Sequence, residues 1–98
     1  MDDNEAQGGE LTNPTPVVTL YQFNALDMDG RAAYLWEHGD YLTGAVDEQG
    51  RSNFYALGSF FVEVELFDQG DAIAAVIPFI TGDRYERLLR HVDLDRLT

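Results

Sequence analysis

The sequence predicts an α+β domain with one or two N-terminal helices, a four-stranded antiparallel β-meander and a C-terminal helix. Two observations favour this class. Between residues 41 and 79, short apolar and aromatic runs are separated by turns that contain glycine, which is typical of strands joined as hairpins. On both sides of that region, apolar residues recur instead at the spacing of a helix. An antiparallel sheet of this kind needs helices or a second layer to cover its apolar side.

The chain begins with a predicted disordered acidic tail at 1–16, which is followed by a single small domain at 17–98. The tail contains four acids, two adjacent glycines and two prolines, and it has no apolar cluster whose burial would offset the entropy lost on ordering. Its residues do not resemble a secretory signal, and no apolar run in the chain reaches the ~18 residues of a membrane span. We therefore expect a soluble, cytoplasmic protein.

Capping patterns predict where the N-terminal helices begin. Thr19 is followed three positions later by Gln22, which is the spacing of a capping box, although the branched residues at 17–21 fit a strand equally well. Asp27 is the predicted N-cap of a firmer helix, in which apolar residues recur at helical spacing until Gly39 ends it.

Four strands are predicted after this helix, at Tyr41–Val46, Asn53–Leu57, Phe60–Phe67 and Ala72–Phe79. The third has the clearest alternation, with a wholly apolar row made by Phe60, Val62, Val64 and Leu66. We expect Leu35 and Trp36 of the preceding helix to cover that row. Pro78 has no amide hydrogen, so the end of the fourth strand is predicted to lie at a sheet edge or outside the pairing.

The last helix is predicted to begin with Asp83 as its cap, because Glu86 follows three positions later, and to run to about His91 or Val92. Its apolar side carries Tyr85, Leu88, Leu89 and Val92. The other side carries Arg84, Arg87 and Arg90, which are half of the basic residues of the chain.

The net charge of the chain limits which classes of partner it can bind. The chain has 18 acidic and 6 basic residues, all of the latter arginine, and a formal charge of −12. Such a surface makes direct contact with a phosphate backbone unfavourable, so we expect no direct nucleic-acid binding. The absence of lysine fits a GC-rich genome or a salt-adapted proteome, and salt adaptation also favours an acidic surface. The alternative is a protein whose carboxylates imitate the phosphates of nucleic acid.

Two short motifs carry a family resemblance. A helix end, Tyr34-Leu35-Trp36-Glu37-His38-Gly39, is followed downstream by the strand sequence Phe61-Val62-Glu63-Val64. In these motifs the chain resembles a group of small, uncharacterised bacterial proteins over about residues 20–79. The resemblance implies the same order of elements and no particular activity, and this chain departs from the group in its acidic tail and its arginine-bearing last helix.

No catalytic, metal or cofactor site is predicted. Glu37, His38, Asp40 and His91 are the densest polar candidates for a metal, but neighbouring helical residues point in different directions, and a histidine near a helix end also caps the last carbonyl groups. The only serines, Ser52 and Ser59, both fall in predicted turns and lack the sequence context of a nucleophile. We expect the protein not to be an enzyme.

Two candidate interaction surfaces remain. The first consists of aromatic residues beside acids on one sheet face, a combination typical of protein interfaces: Tyr55, Phe61, Glu63, Glu65 and Phe67. This face has three interpretations, namely a core covered by the last helix, a homodimer contact or a surface for another protein. The second is a basic latch made by Arg84, Arg87 and Arg90, which is either a solvated helix face or a contact to acids of a second copy.

We therefore predict a non-enzymatic protein-interaction module that self-associates or binds another protein. The alternative is an acidic inhibitor that mimics nucleic acid and blocks a basic groove of a partner protein.

Overall fold

A computed structural model of the chain describes residues 18–92. The predicted tail at 1–16 lies outside the described residues, as do residue 17 and residues 93–98. The described elements are α1 (Leu20–Asn24), α2 (Met28–His38), β1 (Asp40–Asp47), β2 (Gly50–Leu57), β3 (Phe60–Leu66), β4 (Ile73–Phe79) and α3 (Asp83–His91). The predicted α+β class and its order of helices and strands are confirmed.

Side-chain caps set the start of the first two helices, as predicted. The Thr19 hydroxyl accepts a hydrogen bond from the Gln22 amide at 3.1 Å, and the Gln22 side chain accepts one from the Thr19 amide at 2.9 Å. This capping box decides between helix and strand in favour of a short helix. The Asp27 carboxylate accepts from the Gly30 amide at 2.8 Å, and α2 ends where Gly39 turns to extended backbone.

The cap predicted for α3 is wrong. The N-cap is Gly82, with a φ of 99° that favours glycine, and no side chain makes the capping hydrogen bond. Asp83 lies instead inside the first turn, together with Glu86. Both acids still favour this helix, because negative charge near the N-terminus complements the helix dipole.

The strands form one antiparallel sheet in the order β1-β2-β3-β4, so each pairs with its neighbour in sequence. Gly58 and Ser59 alone connect β2 to β3, with Gly58 at a φ of 63°. Pro78 lies in β4, which is an edge strand, in agreement with the prediction. Each edge strand also interrupts its regular register once, β1 between Tyr41 and Thr43 and β4 opposite Leu66.

Helices cover both faces of the sheet. On the first face, α1 and α2 bury the apolar row of β3 together with Phe23, Leu35, Leu57 and Val76. On the second face, α3 buries Leu88 and Val92 against a cluster that contains Leu42, Ala45, Phe54 and Phe79. The sheet therefore has an apolar core on each side, whereas the sequence indicated only one apolar face for β3.

Only one of the two residues expected to cover the row of β3 does so. Leu35 is fully buried, but Trp36 is 53% exposed. Adjacent helical residues point about 100° apart, so a helix that directs Leu35 at the sheet turns Trp36 towards its flank. Of the helices in the described part of the chain, none has the length and apolar character required to cross a membrane.

Candidate functional site

The residues predicted as a partner surface do not share one surface. Tyr55 stands opposite Val62 in the pairing of β2 with β3, so it belongs to the first face of the sheet, while Glu63 and its row belong to the second. The prediction that Tyr55 accompanies Glu63 is therefore wrong, because the register of the hairpin was not known. Phe67 lies just beyond β3 and is 56% exposed.

Of the remaining residues, Phe61 and Glu63 are covered by α3, whereas the Glu65 side chain is 38% exposed. The ring of Phe61 lies 5.7 Å from that of Phe79 and 5.7 Å from that of Tyr85, so it packs between the sheet and the helix. Glu63 is only 3% exposed. Of the three interpretations of this face, the covered core is the one that the structure supports.

Arg87 of α3 is at the centre of a network of hydrogen bonds on this covered face. Its Nε and Nη2 atoms donate to the two oxygens of Asp47 at 2.9 and 2.8 Å. Its Nη1 atom donates to Glu63 Oε2 at 2.9 Å and to Ser52 Oγ at 3.2 Å, and Nη2 also donates to the carbonyl oxygen of Gly50 at 2.8 Å. All five N–H groups of the guanidinium are thus used, which compensates the cost of burying a side chain that is only 4% exposed.

The predicted basic latch is therefore formed largely within the chain. Arg84 lies 3.1 Å from Glu63 and 3.7 Å from Glu65, although its Nε atom has no hydrogen bond. Arg87 joins β1 to β3 as described, and only Arg90 is exposed with no ion pair among the described residues. For Arg87, neither the solvated helix face nor the contact to a second copy fits these distances, whereas the Arg84 side chain stays 43% exposed.

Asp47 links this network to an open recess that His91 also lines. Hydrogen bonds from Arg87 hold the pKa of Asp47 well below its usual range; burial opposes that shift, and bonds from His91 and the Gln49 amide add to it. His91 Nε2 lies 2.9 Å from Asp47 Oδ2. An open recess of about 590 Å³ adjoins this pair, and its lining is Asp47, Glu48, Gln49, Arg90 and His91.

The residues weighed as metal ligands do not come together. His38 stacks on Tyr34 with ring centroids 4.4 Å apart, on the side of the sheet that α2 covers. His91 lies in α3, on the opposite side. Within residues 18–92, no group of three or more histidine, aspartate or glutamate side chains is placed to hold a metal ion.

Neither serine is arranged as a nucleophile. Ser52 lies within β2 rather than in the predicted turn, and it is 4% exposed. Its hydroxyl donates to Glu63 Oε2 at 2.6 Å, so it helps to satisfy the buried carboxylate. Ser59 lies in the exposed turn before β3. The polar groups under α3 therefore suit a structural role, in which each buried charge has a partner.

A surface that the sequence did not single out lies on the first face of the sheet. It consists of Trp36, Tyr41 and Tyr55, and we call it the aromatic surface. Trp36 is 53% and Tyr41 48% exposed, and Tyr55 stands between them with its ring 5.7 Å from that of Trp36 and 5.6 Å from that of Tyr41. Burial raises the pKa of Tyr55, and its neighbour Tyr41 adds to that rise, so the Tyr55 phenol stays neutral at physiological pH.

The aromatic surface continues along β1. The register places Gly44 opposite Asn53 and Val46 opposite Arg51, on the same face as Tyr41. Val46 is 77% exposed, and Gly44 is exposed as well. The helices α1 and α2 therefore leave this half of the face open. Trp36 beside Leu35 was an available signal, because two adjacent helical residues cannot both face the sheet.

Charge on the described surface is almost entirely negative. Exposed acids number nine in residues 18–92, and they are Asp27, Asp29, Glu37, Asp40, Glu48, Asp68, Asp71, Asp83 and Glu86. The single exposed arginine in the same range is Arg90. Arg31 and Arg51, which are partly buried, donate to backbone carbonyl groups. The fold thus uses most of its cations internally and presents its acids to the surroundings.

The resemblance to small bacterial proteins stays a prediction. Comparison of the chain with models of protein families, with curated proteins and with solved structures found no match.

Proposed function

We propose that this protein is a non-enzymatic interaction module that binds another protein through the aromatic surface. The observation that carries the proposal is the exposure of Trp36 and Tyr41 on a half-face of the sheet that no described helix covers. Aromatic rings supply large contact area at low cost in side-chain entropy, and tryptophan and tyrosine dominate the binding energy of many interfaces.

The arrangement of the rings supports a preformed binding site. Tyr55 contacts both Trp36 and Tyr41 edge-on, so the three rings hold each other in place before a partner arrives. A site that is already ordered loses less conformational entropy on binding. The surface predicted from the sequence, centred on Phe61 and Glu63, is not used in this proposal because α3 covers it.

A second candidate function is mimicry of nucleic acid, by which the protein would block a basic groove. It is favoured by the nine exposed acids against a single exposed arginine in residues 18–92. On β3, Glu63 is buried in ion pairs with Arg84 and Arg87 and so is not available for such a role, whereas the Glu65 side chain is 38% exposed. Mimicry predicts binding that is lost steeply as salt rises, whereas binding through the aromatic surface survives raised salt.

The test is capture of partners by the immobilised full chain from an extract of the source organism. Trp36→Ala combined with Tyr41→Ala is compared with the unaltered chain and with Tyr21→Ala, a control at a tyrosine that is 83% exposed elsewhere. We expect a protein retained by the unaltered chain and by the control, at low and at raised salt, and lost with the double variant. Equal capture by all three chains contradicts the proposal, and capture that disappears at raised salt in all three supports mimicry instead.

A further inference from the structure

The two edges of the sheet differ in how they are closed. At the outer edge of β4, Pro78 has no amide hydrogen to offer, and the Val76 carbonyl accepts a hydrogen bond from Arg31 at 2.9 Å. Both features are typical of edges protected against pairing with another chain. The sheet of the described residues ends at β1 on the other side, and β1 contains neither proline nor lysine.

The regular part of β1 is suited to accept another strand. Thr43 to Asp47 keep an unbroken register with β2, after the irregularity between Tyr41 and Thr43. An edge strand directs alternate N–H and C=O groups away from its neighbour, where they can pair with an extended peptide. Strand addition there would place alternate side chains of the peptide beside Gly44 and Val46, on the face of the sheet that also carries Tyr41.

We propose that the outer edge of β1 binds an extended, basic segment of another protein, which adds a strand to the sheet and sets an arginine or lysine side chain against Tyr41 and Trp36. This proposal rests on the proposed function, for which it names the chemistry of the partner. A guanidinium or ammonium group is attracted to the face of tryptophan and tyrosine rings.

Charge decides which occupant fits. Asp40 begins β1 and Glu48 directly follows it, both exposed, within a surface that has nine exposed acids among residues 18–92. A second copy of this chain, with its formal charge of −12, would be repelled. The acidic N-terminal residues are unsuited for the same reason, and Pro14 and Pro16 among them cannot donate to a ladder. A basic segment of another protein is attracted to this acidic surface, and its backbone can donate hydrogen bonds to the edge of β1.

The experiment uses the full chain and a capped peptide that alternates arginine and valine over the 8 residues of β1. Trp36 is the only tryptophan, so its fluorescence reports binding at the aromatic surface. Two matched peptides serve as controls: one has glutamate in place of arginine, and the other keeps every side chain but has its backbone amides N-methylated, which removes the donors for strand pairing.

We expect saturable binding of the arginine peptide, with affinity reduced about tenfold or more by either change, because lost backbone hydrogen bonds and reversed charge each cost that much. Val46→Lys should weaken the binding of the arginine peptide, and Val46→Glu should not. Equal binding of the N-methylated peptide overturns strand addition, and equal binding of the glutamate peptide overturns the basic partner. A dimer in sedimentation that Val46→Lys disrupts would identify a second copy as the occupant and overturn the proposal.

The results that would overturn the basic strand differ from those that would overturn the proposed function. If the arginine peptide does not bind but protein capture from the extract still depends on Trp36 and Tyr41, the proposed function stands and the basic strand is wrong. If capture is indifferent to Trp36 and Tyr41, the proposed function itself fails.

Discussion

Arg87 and Glu63 form an ion pair between α3 and β3 in which both side chains are almost fully buried. The Nη1 atom of Arg87 lies 2.9 Å from Oε2 of Glu63, and the two residues are 4% and 3% exposed. Moving two charges out of water is costly, and the cost is recovered only where the remaining hydrogen-bonding groups also find partners. Here Asp47, Ser52 and the Gly50 carbonyl supply those partners.

Arg87→Ala should strongly destabilise the protein, because it leaves the carboxylate of Glu63 buried without its main partner. Breaking one side of such a pair lowers the free energy of unfolding by about 3 kcal/mol or more. The measurement is unfolding by urea, followed by circular dichroism. Arg90→Ala is the matched control, since Arg90 is exposed in the same helix, and it should change the free energy of unfolding by less than about 0.5 kcal/mol.

A double variant that removes both charges distinguishes the contribution of the ion pair from that of side-chain packing. Glu63→Leu combined with Arg87→Met should cost clearly less than the sum of the two single changes, because no charge remains buried without a partner at this position. Additive losses would mean that the two side chains stabilise the fold independently of each other.

Phe61→Ala should destabilise the fold and Phe67→Ala should not. Phe61 packs against Phe79 and Tyr85 beneath α3, so its truncation removes apolar contacts and leaves a cavity worth about 2 kcal/mol for a partly buried ring. Phe67 is 56% exposed, and surface changes of that kind stay within about 0.5 kcal/mol. Thermal unfolding of the two variants tests this difference. Similar losses at both positions would show that Phe61 is not held by the helix.

Features set by local patterns could be predicted from the sequence. The apolar row of β3 is predicted by the alternation of apolar residues, and the turns are predicted by glycine. The starts of α1 and α2 are predicted by capping residues, whose hydrogen-bond partners lie within four residues in the sequence. The edge position of Pro78 follows from its missing amide hydrogen. Each of these depends on residues close together in the chain, so no knowledge of the tertiary structure is needed.

The contacts of α3 could not be predicted in the same way. Arg87 meets residues 24 and 40 positions away, and only the rotation of the helix on the sheet decides that it points inward while Leu89 is 36% exposed. A prediction based only on the apolar residues of the helix therefore places the side chain of Arg87 in solvent. The available signal was complementary charge, since the last helix has three arginines and the second row of β3 carries Glu63 and Glu65.

The aromatic surface was missed for a related reason. Tyr55 faces Val62 only because the two-residue turn at Gly58 and Ser59 sets the register of β2 against β3. A shift of one residue would send every side chain of the strand to the other face. The sequence indicates both strands but not which of the two rows of β2 meets the apolar row of β3.

Gly58→Ala should weaken the β2–β3 hairpin. Gly58 has a φ of 63°, and the turn has no other residue with a positive φ, so a side chain at this position meets steric strain of about 1–2 kcal/mol. Ser59→Ala is the control in the same turn and should be close to neutral. The measurement is the free energy of unfolding in urea. Equal effects of the two changes would contradict a specific need for glycine.

Asp47 should make the protein sensitive to acid. Because Arg87 holds the pKa of Asp47 well below the ordinary value of 3.8, the unfolded chain binds the proton more readily than the folded chain does. The stabilisation is complete above the unfolded pKa and is lost as the pH falls below it towards the folded pKa. Asp47→Asn should therefore lower the free energy of unfolding near neutral pH and make its fall with acid less steep.

The comparison that isolates this effect is Asp68→Asn, which removes an exposed carboxylate that has no ion pair among the described residues. Urea unfolding of both variants and of the unaltered chain, repeated between neutral pH and about pH 3, gives three curves. We expect the unaltered chain and Asp68→Asn to fall in parallel, and the gap between Asp47→Asn and these two to narrow as the pH drops below 3.8. The gap narrows because in this range the unfolded chain takes up a proton at Asp47, whereas Arg87 keeps the pKa of Asp47 lower in the folded chain. Three parallel curves would show that folding does not lower the pKa of Asp47.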